Sequence, residues 1–257
     1  MRVVRYQIKD KAPRYGWILE DKVGAIEGNI YGDFRRLEAE TPLASVHLLA
    51  PAQPGKIVCI GRNYVEHAKE QNAELPKVPL LFMKPPSSIL SPGDPIELPS
   101  QSHQVEHEGE LVAVIGKRGR NLTTNEAQGF LYGYTIGNDV TARDLQHSDG
   151  QWTRAKGFDT FCPFGPWIDT EFDPSDAVIT TKVSGQPRQM ASTRDMVFNV
   201  STLIAFISSV MTLEPGDLIF TGTPAGVGPL TPGDVVEVDI EGLGRLSNPV
   251  IAGRTLP

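Results

Sequence analysis

Hydrophobic and polar positions alternate over short runs along most of the chain, and proline, glycine and acidic residues separate the runs. Val3–Ile8, Tyr15–Leu19 and Lys22–Ile26 predict three short strands, with Glu20-Asp21 as a turn. Pro51-Ala52-Gln53-Pro54-Gly55 then breaks the pattern, since proline keeps its neighbours extended and stops a helix. A domain boundary is expected there, with a small β-rich unit over 1–52 and a larger one over 53–257. Lys56–Ile60 and Leu80–Met83 are apolar enough for buried strands, and Phe130–Ile136, Val178–Val183 and Asp217–Thr221 predict more. Ser184-Gly185 reads as a hairpin turn. Val235–Glu241 alternates strictly, Val236, Val238 and Ile240 against Glu237, Asp239 and Glu241, as a half-exposed strand does. Pro92-Gly93-Asp94, Pro215-Gly216-Asp217 and Pro232-Gly233-Asp234 repeat one turn signature, proline followed by glycine where positive φ is needed.

Helical signals are few. Ser201–Met211 carries Leu203, Phe206, Ile207 and Val210 at helical spacing, a stripe assigned to the core. Thr123-Thr124-Asn125-Glu126 matches a capping box. Residues 64–73 are good helix formers that end before Pro76, and they place His67 and Glu70 on one face. That pair is either a solvated surface contact or a histidine base oriented by a carboxylate. The stretch is short and polar, so it is expected to act as a lid that orders over a ligand.

One stretch departs from ordinary patterning. Val105–Gly116 has strand composition and length, and it puts Glu106, Glu108 and Glu110 on one face, followed by Val112 and Val114. His107, Leu111, Ala113 and Ile115 face the other way, and both faces turn apolar after Glu110. Carboxylates at the entrance to a core cost several kcal/mol each, roughly, unless something neutralises them. A hard divalent cation would do so, and a solvated strand end is the plain alternative. Asp139, at the exit of the 130–136 strand, is a third candidate carboxylate. Arg143 suits a substrate carboxylate held by two hydrogen bonds. Asp144 either caps a turn or pairs with Arg143, and Lys156 is either exposed or, near an acidic metal site, a counter-charge or a substrate ligand. The loop Thr221–Gly228 brings backbone and hydroxyl groups close to something, but it lacks the lysine and spacing of a phosphate loop.

Composition narrows the classes. The chain has 257 residues, 40% hydrophobic and 21% charged, enough for one large globular core. A net charge of −7 argues against a nucleic acid or an anionic membrane surface as partner. Cys59 and Cys162 are the only cysteines, which leaves no disulfide framework and no zinc spacing. No segment has the length of a signal peptide or membrane span, so a cytoplasmic protein is expected. Glycine (25) and proline (21) suit many short strands and disfavour a helical bundle.

In order along the chain, Gly61-Arg62-Asn63-Tyr64 with His67 and Glu70, Phe82-Met83-Lys84-Pro85, and His107-Glu108-Gly109-Glu110 resemble the fumarylacetoacetate hydrolase family. So do Asn138–Gln146, Lys156-Gly157-Phe158-Asp159-Thr160 and Thr221-Gly222-Thr223-Pro224. The resemblance runs from about residue 55 to 250 and points to the acylpyruvase and 2-hydroxyhepta-2,4-diene-1,7-dioate isomerase-like branch. It implies an α+β, mainly β fold, a mixed β-sandwich roll with a small N-terminal β-rich domain, and a homodimer. It implies that Glu108, Glu110 and Asp139 hold Mg²⁺ or Mn²⁺, with Ca²⁺ also fitting, and that Glu106 lies outside the ligand set. His67 and Glu70 match the family's lid dyad, and Lys156 its lysine beside the metal. Arg143, Gln146 and Thr223, and less closely Tyr64, match positions that hold substrate oxygens, and Thr160 one near the metal. The implied partner is a small 2-oxo acid, activated through a metal-stabilised enolate. Hydrolytic C–C cleavage of an acylpyruvate and isomerisation of a dienedioate are the expected reactions. Decarboxylation of an oxaloacetate-like acid is the alternative, and a non-catalytic metal-binding homologue is the alternative of another class.

Overall fold

The computed structural model describes residues 1–254. The first fifty residues form β1 (Arg2–Gln7), β2 (Arg14–Leu19), β3 (Lys22–Gly28), β4 (Phe34–Pro42) and β5 (His47–Leu49). Then come β6 (Ile57–Gly61), α1 (Val65–Glu70), β7 (Leu80–Lys84), β8 (Ile89–Leu90), β9 (Ile96–Leu98), β10 (Val105–His107) and β11 (Gly109–Ile115). The middle of the chain gives α2 (Thr124–Ala127), β12 (Leu131–Asn138), β13 (Thr141–Ala142), α3 (Arg143–Asp149), α4 (Thr153–Lys156) and β14 (Cys162–Asp169). The last part gives β15 (Val178–Val183), β16 (Gln186–Ser192), α5 (Val200–Val210), β17 (Leu218–Phe220), β18 (Gly228–Pro229), β19 (Val235–Ile240) and β20 (Gly244–Ala252). The fold is mainly β, as expected.

A twelve-stranded sheet runs β4-β3-β2-β1-β14-β12-β11-β17-β6-β7, with β5 on β1 and β8 on β14. A five-stranded sheet runs β16-β15-β19-β20-β9, and a small one β13-β10-β18. The N-terminal strands continue the large sheet, because β1 pairs with β14 at Val3↔Ile168. The three Pro-Gly-Asp turns close alike: Gly93, Gly216 and Gly233 take φ of 82, 89 and 98, and each following aspartate N–H bonds back three residues.

β11 is buried on both faces. Leu111, Ala113 and Ile115 pack in the main core with α5 and the five-stranded sheet, while Val112 and Val114 pack with Ile57, Cys59, Phe164 and Phe220. The inward face of α5 differs from the expected stripe: Val200, Leu203, Ile204 and Ile207 are buried, and Val210 is 56% exposed. Ser208 also lies on the buried face, where its hydroxyl accepts the Leu122 N–H. Spacing alone does not separate that face from one turned by one residue.

The expected single strand over 105–116 is two strands in two sheets. β10 pairs with β13 and β18, whereas β11 pairs with β12 and β17. The break falls at Glu108, and the neighbouring chain breaks beside it at Asp139-Val140, between β12 and β13. The two breaks are bonded together: the Asp139 N–H donates to Glu108 O at 2.8 Å, and the Glu108 N–H to Asn138 Oδ1 at 2.9 Å. Gly109 fits because a Cβ there would meet Thr181 Oγ1 at 2.2 Å.

Candidate active site

The paired breaks bring two carboxylates together, and Glu110, at the start of β11, adds a third. Glu108, Glu110 and Asp139 are buried, and each offers an oxygen within 4.8 Å of the others. Cations come from three other elements. Lys156, at the end of α4, donates to Glu108 Oε2 at 2.7 Å and Asp139 Oδ2 at 2.6 Å. Lys84, at the end of β7, donates to Asp139 Oδ1 at 2.5 Å and Val140 O at 3.1 Å. Arg143 opens α3 and bonds Glu106 Oε2 at 2.7 Å, Glu108 Oε1 at 2.5 Å and Gln146 Oε1 at 2.6 Å.

The charges divide unevenly. Burial opposes the charge on Glu108, but Lys156 and Arg143 outweigh it and hold that carboxyl well below the usual range. Burial also opposes the Lys156 charge, and Asp139 and Glu108 outweigh it and push its ammonium up. Glu110 has no direct ion pair among the described residues, and the charge of Lys156 favours its ionised form only from a distance. Burial, then Asp139 and Glu108, push its carboxyl well up, and the Gly222 N–H at 2.7 Å opposes them only in part. With every carboxyl ionised, four carboxylates (Glu106, Glu108, Glu110, Asp139) would stand against three cations (Lys84, Arg143, Lys156), one negative charge in excess, and it is Glu110 that keeps its proton when no further cation is present. The donor set is all oxygen and the excess charge is negative, so these residues fit a hard divalent cation.

The histidine of the expected dyad is buried in the wall of the same cavity. His67 Nδ1 lies 3.0 Å from Glu70 Oε2, so the Nδ1–H donates to the carboxylate, and in the neutral ring Nε2 carries the lone pair. Glu70 also accepts the Gly226 N–H at 3.0 Å and so ties α1 to the loop after β17. A second tie lies beneath: the Asn63 side chain donates to Thr221 O at 2.7 Å and Phe198 O at 3.0 Å. What the 221–228 loop approaches is the carboxylate strand. Gly222 donates to Glu110, and the hydroxyls of Thr221 and Thr223 donate to Leu111 O and Gly109 O.

A cavity of about 270 Å³ joins most of the expected site residues: His67, Glu108, Glu110, Arg143, Gln146, Lys156 and Thr223 line it. Asp139 lies behind Lys156, and Glu70 behind His67. Tyr64 is not in the wall. It is buried in the main core, its backbone pairs with Met196, and its hydroxyl has no partner among the described residues. Thr160 is also elsewhere, its hydroxyl taking the Glu97 N–H at 3.0 Å. Asp144 caps rather than pairing with Arg143: it accepts from Ser102 Oγ and the N–H groups of His103 and Leu145. Glu106 is taken by Arg143 and Gln104, outside the carboxylate triad.

Sequence reasoning missed three kinds of residue. Lys84 is a fully buried lysine on the triad, and its signal was a lysine closing an apolar strand, the counterpart of the glutamates opening one. Gln189, on β16, accepts the Gly109 N–H, bonds His107 Nδ1, and donates to Thr223 Oγ1 and Pro224 O. No local signal marks it. Arg62, Phe82 and Trp152 also line the cavity.

Comparison with known proteins gives the family and the fold. The fumarylacetoacetate (FAA) hydrolase C-terminal family matches residues 56–251, and an Rv2993c-like N-terminal family matches residues 1–51. The solved 2-hydroxyhepta-2,4-diene-1,7-dioate isomerase of Mycobacterium marinum superposes with a TM-score of 0.91 at 44% identity, covering 99% of this chain and 100% of that one. A mitochondrial oxaloacetate tautomerase of Xenopus laevis is 41% identical over 288 residues, 98% of this chain and 90% of that protein. Maleylpyruvate hydrolase from Sphingobium sp. SYK-6, solved with manganese(II) and pyruvate, has a TM-score of 0.81 at 32% identity, covering 99% and 100%.

Proposed function

This chain belongs to the fumarylacetoacetate hydrolase family, and we propose that it is a divalent-metal-dependent enzyme that moves a proton at C3 of a small 2-oxo acid, as an isomerase or tautomerase does. The observation that carries this reading is His67. Its Nε2 is without a hydrogen-bond partner among the described residues, in a cavity shared with the Glu108–Glu110–Asp139 triad. A Mg²⁺ or Mn²⁺ held by the three carboxylates would supply Lewis acidity to the 2-oxo group. The remaining work falls to side chains. Arg143 and Lys156 face the substrate's carboxylate end, and Gln146 and Thr223 hold its oxygens. His67 Nε2 takes the proton from C3 and returns it to the 2-oxo oxygen in a tautomerisation, or to a distal carbon of the conjugated system in an isomerisation, and Glu70 keeps Nδ1–H in place and stabilises the imidazolium in between. The Glu70–Gly226 bond keeps α1 over the cavity, which limits entry of water. Tyr64 acts from behind the wall rather than on the substrate.

A second reading is hydrolysis, in which His67 activates a water at a distal carbonyl. The similarity to a maleylpyruvate hydrolase supports it. The proposal also includes a homodimer, for which the exposed Leu80 and Met83 on the edge strand β7 offer apolar surface. It includes a division of the chain near residue 52, and a cytoplasmic protein. Among the described residues no helix is long and apolar enough to cross a membrane.

Turnover should be followed with Mg²⁺, and with a chelated control, on a dienedioate, an acylpyruvate and oxaloacetate. Isomerisation or enol–keto exchange without fragmentation supports the first reading. Pyruvate plus a carboxylic acid supports the second, and CO₂ release means a decarboxylase. Metal-independent turnover, or none on any of the three, would sink both readings.

A further inference from the structure

Gln189 comes from β16, an edge strand of the five-stranded sheet, yet its side chain is 1% exposed and reaches the carboxylate strand. Two backbone partners fix which way its amide faces. The Gly109 N–H donates to Oε1 at 3.0 Å, and Nε2 donates to Pro224 O at 2.7 Å. Nε2 also donates to Thr223 Oγ1 at 2.7 Å, so the threonine's own proton goes to Gly109 O, 2.9 Å away. The bonds close a ring, from the Gly109 N–H to Gln189, on to Thr223, and back to the Gly109 carbonyl. His107 Nδ1 donates to Oε1 at 3.2 Å, which fills the last place on the amide.

Gly109 stands between Glu108 and Glu110, two members of the triad. The ring therefore holds both polar groups of the residue that joins two carboxylates. The NH₂ end of the amide also holds the 221–228 loop, and that loop reaches further. Gly222 donates to Glu110 Oε2 at 2.7 Å, and Gly226 to Glu70 Oε1 at 3.0 Å. Glu70 in turn holds His67 Nδ1. Hydrogen bonds and the backbone from Pro224 to Gly226 thus link the peptide inside the triad to the histidine across the cavity.

We infer that Gln189 is a positioning residue that acts through both ends of one amide. Its carbonyl end fixes the Glu108-Gly109-Glu110 segment for the cation. Its NH₂ end fixes the loop that seats α1 and His67. This rests on the cation site read above and adds to it. Groups that orient metal ligands from outside are typically worth ~10–100-fold in metal affinity. Gln189 does this work on the backbone between two ligands rather than on a carboxylate.

Two variants separate the ends. Q189M keeps the bulk of the side chain and drops all four bonds. Q189E keeps an acceptor for Gly109 and His107 but sets a carboxylate oxygen against Pro224 O. Titration calorimetry of the full chain with Mg²⁺ reads the first end. Amide hydrogen exchange over α1 reads the second, at a temperature where circular dichroism shows each variant folded. Q189M should weaken Mg²⁺ binding by ~10–100-fold. It should also speed α1 exchange by about tenfold, the worth of one lost hydrogen bond. Q189E should speed α1 exchange as much and keep most of the Mg²⁺ affinity. A glutamine that only stabilises the fold would lower the melting temperature and move neither reading. Wild-type Mg²⁺ affinity in folded Q189M, or wild-type α1 exchange in Q189E, would overturn the assignment while leaving the cation site intact. Should Q189M not fold, α1 exchange in Q189E decides alone. If the wild type binds neither Mg²⁺ nor Mn²⁺, the cation site itself fails and the assignment falls with it.

Discussion

The Lys84 ammonium lies 2.5 Å from Asp139 Oδ1, and both side chains are completely buried. It is the only cation on that oxygen among the described residues, because Lys156 takes the other one. Removing one partner of such a pair leaves an uncompensated buried charge, at a cost of about 3–5 kcal/mol. Lys84→Met should therefore destabilise the metal-free protein by about that amount. Added Mg²⁺ should restore much of it, since the cation replaces the missing charge. Urea unfolding with and without Mg²⁺ checks both parts, and a variant as stable as wild type without metal would contradict the role given to Lys84.

Glu110 gives the folded protein a pH dependence of definite sign. Its carboxyl titrates well above 4.5 in the folded chain, from burial first and Asp139 and Glu108 next. The folded state therefore holds a proton that the unfolded state has released, and its stability falls as pH rises from 4.5 through that higher value. The difference in unfolding midpoint between wild type and Glu110→Gln, without metal, should grow in favour of the variant from about pH 5 to about pH 8. The same variant should lose Mg²⁺ binding. A variant that binds Mg²⁺ as wild type does would remove Glu110 from the ligand set.

His67→Ala should leave Mg²⁺ affinity largely intact and cut turnover by ~10²–10⁴, the range for a lost acid–base group. Glu70→Gln should cost less, because a glutamine oxygen still accepts from Nδ1. Unchanged turnover in His67→Ala would reduce the pair to a structural contact.

Gln189 holds four groups at once: the Gly109 N–H, His107, Thr223 and Pro224. Gln189→Leu leaves buried polar groups unpaired at roughly 1–3 kcal/mol each, so a loss of several kcal/mol is expected. Thermal unfolding measures it. A shift no larger than that of a surface substitution would mean that water or another side chain fills the gap.

The site was legible where charge conflicted with burial. Glu108, Glu110 and Asp139 stood out because carboxylates beside apolar runs need a counter-charge, and the structure places them together. Lys84 obeyed the same rule from the other sign and was overlooked, since a lysine before proline reads as a strand simply ending. The break at Glu108 was hidden because strand periodicity counts residues and does not report a change of sheet. β4 was missed for a plainer reason: none of its nine residues is buried, so no hydrophobic alternation marks it. Tyr64 and Thr160 show how far a motif reaches. Each lies beside site residues in sequence, yet one side chain turns into the core and the other onto the Glu97 backbone.

The adjoining breaks at Glu108 and Asp139 also bear on the order in which the molecule assembles. Glu106, Glu108, Glu110, Asp139, Arg143 and Lys156 come from one continuous stretch, folded largely around the β11–β12 hairpin. Its contacts are comparatively local, Lys156 to Asp139 spanning 17 positions. α1 is attached differently: β6, the strand before it, lies parallel to β17, next to a Lys56–Asp217 pair spanning 161 positions. Distant pairings close late, because the loop entropy must be overcome before the contacts form. The charged centre is thus expected to form early, with α1 and the strand before it fitted over it last.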